Sequence, residues 1–217
     1  MKTLKNSFRC TLLIAAILIC GCTNKVYQTQ ATDLHDYETV SAVVVNPIID
    51  NDKVANSMGI SLTATLTDYL AADIRYAGDI PKLQPSLLKN NLVADGQINM
   101  TELSKIGSAV NAKEVICVKV NSSHLYPPQS MSALVIIRSS EGSKYRQKVG
   151  YINISMQNVN HKNEYMQFVG GDLKTPLGDK ATRKTNINGE VGLLSNDDFA
   201  KFVGYKIAKQ VIYMKKY

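Results

Sequence analysis

Apolar residues recur at about every fourth position in two stretches of the chain, and this spacing predicts two long amphipathic helices. The first follows Asp50-Asn51-Asp52, which offers N-cap side chains, and we expect Gly78 to end it. Its apolar stripe is Val54, Met58, Leu62, Leu66, Leu70 and Ile74. The second follows Ser195, and its stripe is Phe199, Phe202, Val203, Ile207, Val211 and Met214. Both stripes are expected to face the core.

β-branched and alternating runs predict the strands of that core. Val40–Ile49 carries a continuous β-branched run, which is typical of a strand buried on both faces. Val115–Val120 alternates, so Cys117 is expected to be a buried, inert thiol on the face opposite Ile116, Val118 and Val120. Met131–Arg138 and Lys148–Gln157 predict an antiparallel hairpin.

Shorter segments complete the predicted fold. Thr101–Val110 predicts a helix capped by Thr101, Ile80–Val93 a short helix, and Tyr165–Val169 a further strand. Gly170–Leu194 lacks periodicity, and such long segments are usually functional loops or disorder. The order of elements predicts an α/β fold in one domain. It has a mixed sheet, a long helix after the first strand, an antiparallel hairpin and a C-terminal helix.

The start of the chain predicts export to the bacterial envelope. An apolar segment, Cys10–Cys20, follows a basic leader and is shorter than the ~20 residues of a spanning helix. Ile19-Cys20-Gly21-Cys22 then resembles the lipobox of bacterial lipoproteins, with a bulky residue three places before the cysteine and a small residue just before it. The resemblance implies cleavage between Gly21 and Cys22 and a lipid on Cys22. A plain secretory signal or an uncleaved anchor is the alternative.

The lipobox divides the chain into a signal peptide (1–21), a polar tether (22–39) and an α/β periplasmic domain (40–217). Thr23 follows the cysteine, and by resemblance to sorting in enteric bacteria this favours the outer membrane over the inner one. Cys10 and Cys20 would leave with the leader and Cys22 would carry lipid. Cys117 would then have no partner for an intramolecular disulfide.

The chain offers no catalytic constellation that its spacing supports. Its histidines, His35, His124 and His161, share no metal-ligand spacing. Asp50-Asn51-Asp52 lacks the glycine and distal glutamate of a calcium loop, so helix capping is favoured. We therefore expect neither an enzyme nor a metal or cofactor site. The net charge of +7 falls when the basic leader is removed, which disfavours nucleic acid as a partner. A minority hypothesis has the lysines of the last helix meeting anionic headgroups or wall polymers, namely Lys201, Lys209, Lys215 and Lys216.

The segment TELSKIGSAVNAKEVICVKV (Thr101–Val120) resembles a group of envelope lipoproteins. The group contains the curli-secretion lipoprotein, the amino-terminal domain of TolB, the Pel-export lipoprotein and the lipoprotein activators of penicillin-binding proteins. The resemblance implies a fold like that of the TolB amino-terminal or anticodon-binding domain. In it, Ile106-Gly107 would make the close helix–sheet contact, and Ala112 would be the small residue where helix meets strand. The chain lacks the two long amphipathic hairpins of the pore-forming members.

Two functions remain open after the sequence. In the first, the chain is a non-enzymatic assembly or accessory subunit of an envelope export, assembly or cell-wall machine. It would bind a protein partner or a second copy through sheet edges and the strand with Met131, Ala133, Val135 and Ile137. In the second, it is a monomeric ligand- or polymer-binding lipoprotein with Gly170–Leu194 as its lid.

Overall fold

A five-stranded mixed sheet lies at the centre of the computed structural model, which describes residues 39–80, 83, 92–139, 147–170 and 195–216. The described strands are β1 (Val40–Val44), β2 (Ile74–Tyr76), β3 (Val93–Ala94), β4 (Gln97–Ile98), β5 (Ala112–His124), β6 (Ser130–Ser139) and β7 (Gln147–Ser155). The sheet has the order β2-β1-β5-β6-β7, and β3 pairs separately with β4. Strands β2 and β5 run parallel to β1, whereas β6 is antiparallel to both β5 and β7. The predicted mixed α/β fold is confirmed.

Four helices are described: α1 (Asp52–Leu70), α2 (Met100–Ala109), α3 (Val159–Gly170) and α4 (Asn196–Lys216). Helices α1 and α4 are parallel neighbours. Ser57 donates a hydrogen bond to Asp197, and one turn further along both helices Ser61 donates to the Lys201 carbonyl at 2.6 Å. The two helices predicted from apolar stripes are therefore present, and they pack against each other as well as the sheet.

The main core lies between one face of the sheet and helices α1, α3 and α4. Its centre is aromatic. The Tyr165 and Phe168 rings of α3 meet the Phe202 ring of α4 edge-on, at centroid distances of 5.3 and 5.6 Å. Edge-to-face pairs of this kind stabilise by about 0.5–1.5 kcal/mol beyond the area they bury.

A second, smaller core covers the opposite face of β1 and β5. Leu103 and Ile106 of α2 pack here with Val43, Val115 and Cys117. Strand β1 is therefore buried on both faces, as its β-branched run predicts. Cys117 is fully buried, as predicted, and burial raises the pKa of its thiol to about 12, which disfavours the reactive thiolate.

The first helix ends earlier than predicted. Ala71 takes up the left-handed conformation (φ 46°, ψ 43°) and terminates α1 at Leu70. Ile74, the last residue of the predicted stripe, lies in β2 and pairs with Ala42 of β1. Its side chain faces the same core as the stripe, so the spacing of four continued past the end of the helix. Gly78 does not end the helix but lies in the 3₁₀ turn Ala77–Asp79.

Two further predictions of local structure are wrong. Tyr165–Val169, predicted as a strand, lies within α3, and its apolar residues at a spacing of three share one helix face. Helix α2 begins at Met100 rather than at a Thr101 cap. Asn99 is the N-cap, because its side-chain oxygen accepts from the Thr101 and Glu102 amides at 3.1 and 3.3 Å.

Several predictions fall on residues that the structure does not describe. They are the signal peptide, the polar tether apart from Thr39, most of the Ile80–Val93 helix, and the Gly170–Leu194 segment beyond Gly170. Within the described ranges, no helix is both long and apolar enough to cross a membrane.

Candidate interaction surface

The four side chains proposed for an interface lie in the main core. Met131, Ala133, Val135 and Ile137 are at most 4% exposed. They belong to β6, which is an interior strand of the sheet, and their face is covered by the core helices. As a correction to the sequence interpretation, these four side chains pack in the main core, while Ile136 and the partly buried Leu134 of the same strand pack on the opposite face. Gly21 and Cys22 lie outside the described residues.

The exposed apolar surface of the sheet lies one strand further out. Across β5, β6 and β7, Cys117, Ile136 and Val149 form one row of neighbours, with exposures of 0%, 2% and 47%. In the next row, Lys119 and Leu134 are partly buried, and Tyr151 is 72% exposed. Burial on this face thus falls off towards β7, where two large apolar side chains reach solvent.

Strand β7 is an edge strand, and its main-chain groups point alternately towards β6 and away from it. The Met156 amide donates to the Gln129 carbonyl at 2.8 Å, in register with the β6–β7 ladder. By antiparallel alternation, even-numbered residues of β7 bond to β6. Odd-numbered residues, including Val149 and Tyr151, direct their N–H and C=O groups to the outer edge.

A histidine marks one end of this outer edge. The Ser155 amide donates to Nδ1 of His161 in α3 at 3.2 Å. Asn158 caps the start of α3, because its side-chain oxygen accepts a hydrogen bond from the Asn160 amide at 2.9 Å. The outward amide of Ser155 is therefore already satisfied within the chain, and the contact independently confirms that odd-numbered residues face outwards.

The two edges of the sheet differ in ways that bear on association. Strand β2 has three residues, and its Arg75 is paired with Asp73 at 3.1 Å. Strand β7 has nine residues, and its pairing with β6 shows no bulge. Short length, charge and bulges are the usual devices that protect an edge. Strand β7 is long and regular, and its one charge, Lys148, is bonded to the Met214 carbonyl on the other face. The residues whose main-chain groups point outwards are all uncharged, namely Gln147, Val149, Tyr151, Asn153 and Ser155.

The lysines of α4 are largely engaged inside the chain. Lys201 pairs with Asp197 and Lys215 with Glu114, both at 2.5 Å. Lys209 lies over the Tyr205 ring at 4.9 Å, and its hydrogen bond with Tyr205 raises its pKa. Contacts of this kind weaken the case for a cationic face that binds anionic polymers.

A cavity of about 250 Å³ lies between the starts of α1 and α4, lined by Asn51, Lys53, Val54, Ser195, Asn196 and Asp197. The helix starts are capped internally, since Asn51 accepts from the Val54 amide and Ser195 from the Asp198 amide, each at 3.1 Å. Burial raises the pKa of Asp197, but hydrogen bonds from Lys201 and Ser57 outweigh it and hold the pKa below its ordinary 3.8. The donors that would attract an anion are thus largely occupied.

Comparison with known proteins leaves the class of this chain open. No protein-family model and no curated protein matches it. The crystal structure of lipoprotein GNA1162 from Neisseria meningitidis is similar at 17% identity and a TM-score of 0.34, over 56% of this chain and 87% of that one. The hypothetical protein CT253 from Chlamydia trachomatis is similar at 11% identity and a TM-score of 0.35, over 80% and 99%. Likeness at this level supports no argument about function.

Proposed function

We propose that this chain is a lipid-anchored protein of the outer membrane, facing the periplasm. The observation that carries the anchor is the order of a basic leader, a short apolar segment and Ile19-Cys20-Gly21-Cys22. Several acyl chains on Cys22 would hold the protein durably, because each buried CH₂ contributes about 0.8 kcal/mol. Thr23 at the following position supports the outer membrane.

The anchored domain acts, in this proposal, as a non-enzymatic assembly or accessory subunit through protein–protein contact. The supporting observation is the exposed pair Val149 and Tyr151 on a long edge strand whose only charged residue, Lys148, lies on the opposite face and donates to the Met214 carbonyl. An extended strand of a partner would gain main-chain hydrogen bonds at such an edge and apolar contact beside it. The proposal moves the interface from the buried face of β6 to the outer edge of β7.

Labelling with a palmitate analogue in a bacterial host tests the anchor. Wild-type chain is expected to carry the label and to float with outer membranes on a density gradient. Cys22→Ser should lose the label, whereas Cys20→Ser, the matched control, should keep it. An unlabelled wild-type chain, or label that survives Cys22→Ser, would contradict the anchor.

Photo-crosslinking in intact cells tests the contact role. A benzophenone amino acid in place of Tyr151 is expected to give a covalent adduct with a protein, either another copy or a different chain. The same probe in place of Tyr213, which is 60% exposed on α4, serves as the control. Adducts absent at Tyr151, or equal at both positions, would count against a role for the β7 edge.

A monomeric ligand-binding lipoprotein is the second candidate, and the cavity between α1 and α4 is the observation that favours it. This function predicts a strict monomer whose melting temperature rises when a wall polymer is added. It also predicts that the rise is lost when Asn196, which lines the cavity, is replaced by Leu.

A further inference from the structure

We infer that β7 pairs antiparallel with β7 of a second copy of this chain, about a two-fold axis at Gly150, so that the two sheets become continuous. The inference rests on the proposed role of the β7 edge in protein contact and names the partner. It is carried by the direction of the main-chain groups, by the point at which the free edge ends, and by the side chains that the pairing brings together.

The main-chain pattern of β7 permits pairing of odd-numbered residues with odd-numbered residues. Outward N–H and C=O groups belong to the odd positions, as the Met156–Gln129 and Ser155–His161 hydrogen bonds establish. In an antiparallel ladder, outward-facing residues of one strand exchange hydrogen bonds with outward-facing residues of the other. A two-fold axis at Gly150 satisfies this rule.

The position of the axis follows from the end of the free edge. His161 already accepts the Ser155 amide, so Ser155 cannot donate to a second chain without losing that bond. Among the described residues of β7, the uncommitted run of the edge is therefore Gln147–Asn153. Its midpoint is Gly150, which makes Gly150 the natural centre of a symmetric pair.

The side chains that meet across this axis are complementary. Val149 of one copy lies opposite Tyr151 of the other, and Gln147 lies opposite Asn153. A β-branched residue opposite an aromatic one is among the favourable cross-strand pairs, each contributing about 0.2–1 kcal/mol. The pairing thus covers the two exposed apolar residues of β7 with each other.

Charge also favours a second copy over a charged partner. All outward residues of β7 are uncharged, so self-pairing brings no like charges together on their face. Lys148 lies on the other face, where its ammonium donates to the Met214 carbonyl at the end of α4. The two-fold axis places Lys148 opposite Ile152 rather than opposite the second Lys148. A lipid anchor would add to this by concentrating copies on one membrane surface.

Sedimentation of the full-length chain in density-matched detergent tests the inference. The wild-type protein is expected to sediment as a dimer. Val149→Lys with Tyr151→Lys places lysine opposite lysine twice and should halve the sedimenting mass. Val149→Lys with Tyr151→Glu places lysine opposite glutamate twice and should restore the dimer. Val159→Lys, at a residue that is 68% exposed on α3, is the control and should remain dimeric.

A wild-type monomer, or a dimer that survives the double lysine variant, would overturn the inference. Failure of the lysine–glutamate variant to recover the dimer would overturn the axis at Gly150. Disulfide cross-linking is a second measurement, and it does not require the charged variants to fold. Chains with Val149→Cys, mixed with chains with Tyr151→Cys in a Cys117→Ser background, should form mixed disulfides in membranes in preference to like-with-like pairs.

The two proposals fail in different ways. If the Tyr151 photo-probe gives an adduct with a different protein and the wild-type chain sediments as a monomer, the contact role stands and the second copy is rejected. If the probe gives no adduct and the chain is monomeric, both are rejected.

Discussion

At the scale of single residues, Gly204 sets the closest approach of the two parallel helices. A Cβ atom at this position would lie 2.4 Å from the Met58 carbonyl oxygen of α1 and 3.0 Å from the Leu62 nitrogen. Because both obstacles are backbone atoms, they cannot turn aside as a flexible side chain would. The contact explains how Ser57 and Ser61 reach their partners on α4.

We expect Gly204→Ala to lower the free energy of unfolding by about 1–3 kcal/mol, the usual cost of overpacking, although alanine favours helix. Urea denaturation followed by circular dichroism measures the change. Gly150→Ala is a useful contrast, since its Cβ would meet the flexible end of Met214 and should be tolerated better. Equal stability of wild type and Gly204→Ala would contradict a close contact between the helices at Gly204.

Asp197 gives the fold a dependence on acid. Its pKa is lowered in the folded chain, so the carboxylate stabilises the fold above its ordinary pKa of 3.8, and this contribution is lost as pH falls through the lowered value. Asp197→Asn should lower stability at pH 7 by up to about 1 kcal/mol, the range for a partly exposed pair. The difference from wild type should shrink in urea titrations repeated near pH 2.

Asp52→Asn, in the first turn of α1, controls for the helix dipole. A difference between Asp197→Asn and wild type that does not change with pH would be inconsistent with this account.

At the scale of elements, the sequence predicts what depends on periodicity and misses what depends on one backbone conformation. The stripes of α1 and α4 and the alternation of β7 reflect the burial of one face, and the apolar runs of β5 and β6 reflect burial on both. Strand β2 was missed because three residues are too few to show a period, and because Ile74 extends the helical spacing by facing the same core. Helix α3 was misassigned because its two buried aromatics are followed by a β-branched residue.

The cap of α2 is an element whose correction can be tested directly. Asn99→Ala should lower the free energy of unfolding by about 1 kcal/mol, because two amides of the first turn lose their acceptor. Thr101→Ala, at the cap predicted from sequence, is the matched control and should be near neutral. Thermal or urea denaturation of both variants decides between the two caps; a larger loss for Thr101→Ala would restore the original assignment.

The location of the candidate surface could not be predicted from the sequence either. The sequence identifies β6 as too apolar for a half-buried strand, and the structure explains the surplus by burial on both of its faces. Which strand is the edge depends on topology, and the order β2-β1-β5-β6-β7 does not follow from the pattern of any single strand. The outward direction of the Val149 and Tyr151 main chain depends on register, and the sequence carries no sign of it.

At the scale of the whole molecule, the rate at which the Cys117 thiol is labelled can measure how often the sheet and its two cores open. Its side chain is fully buried on the face that α2 covers, and burial raises its pKa to about 12. The thiolate, which reacts with alkylating reagents, is therefore strongly disfavoured in the folded chain at neutral and mildly alkaline pH. In the folded state, Cys117 should stay unlabelled by a maleimide from pH 7 to 9, whereas an ordinary thiol reacts faster across this range. Labelling should rise with urea in parallel with loss of helix signal. The control is Leu134→Cys in a Cys117→Ser background, because Leu134 is partly exposed and neighbours Tyr151. This thiol should be labelled without denaturant, and its labelling should be slower in the dimer than in the monomer. Rapid native labelling of Cys117 would mean that the sheet opens locally, without unfolding of the two cores together.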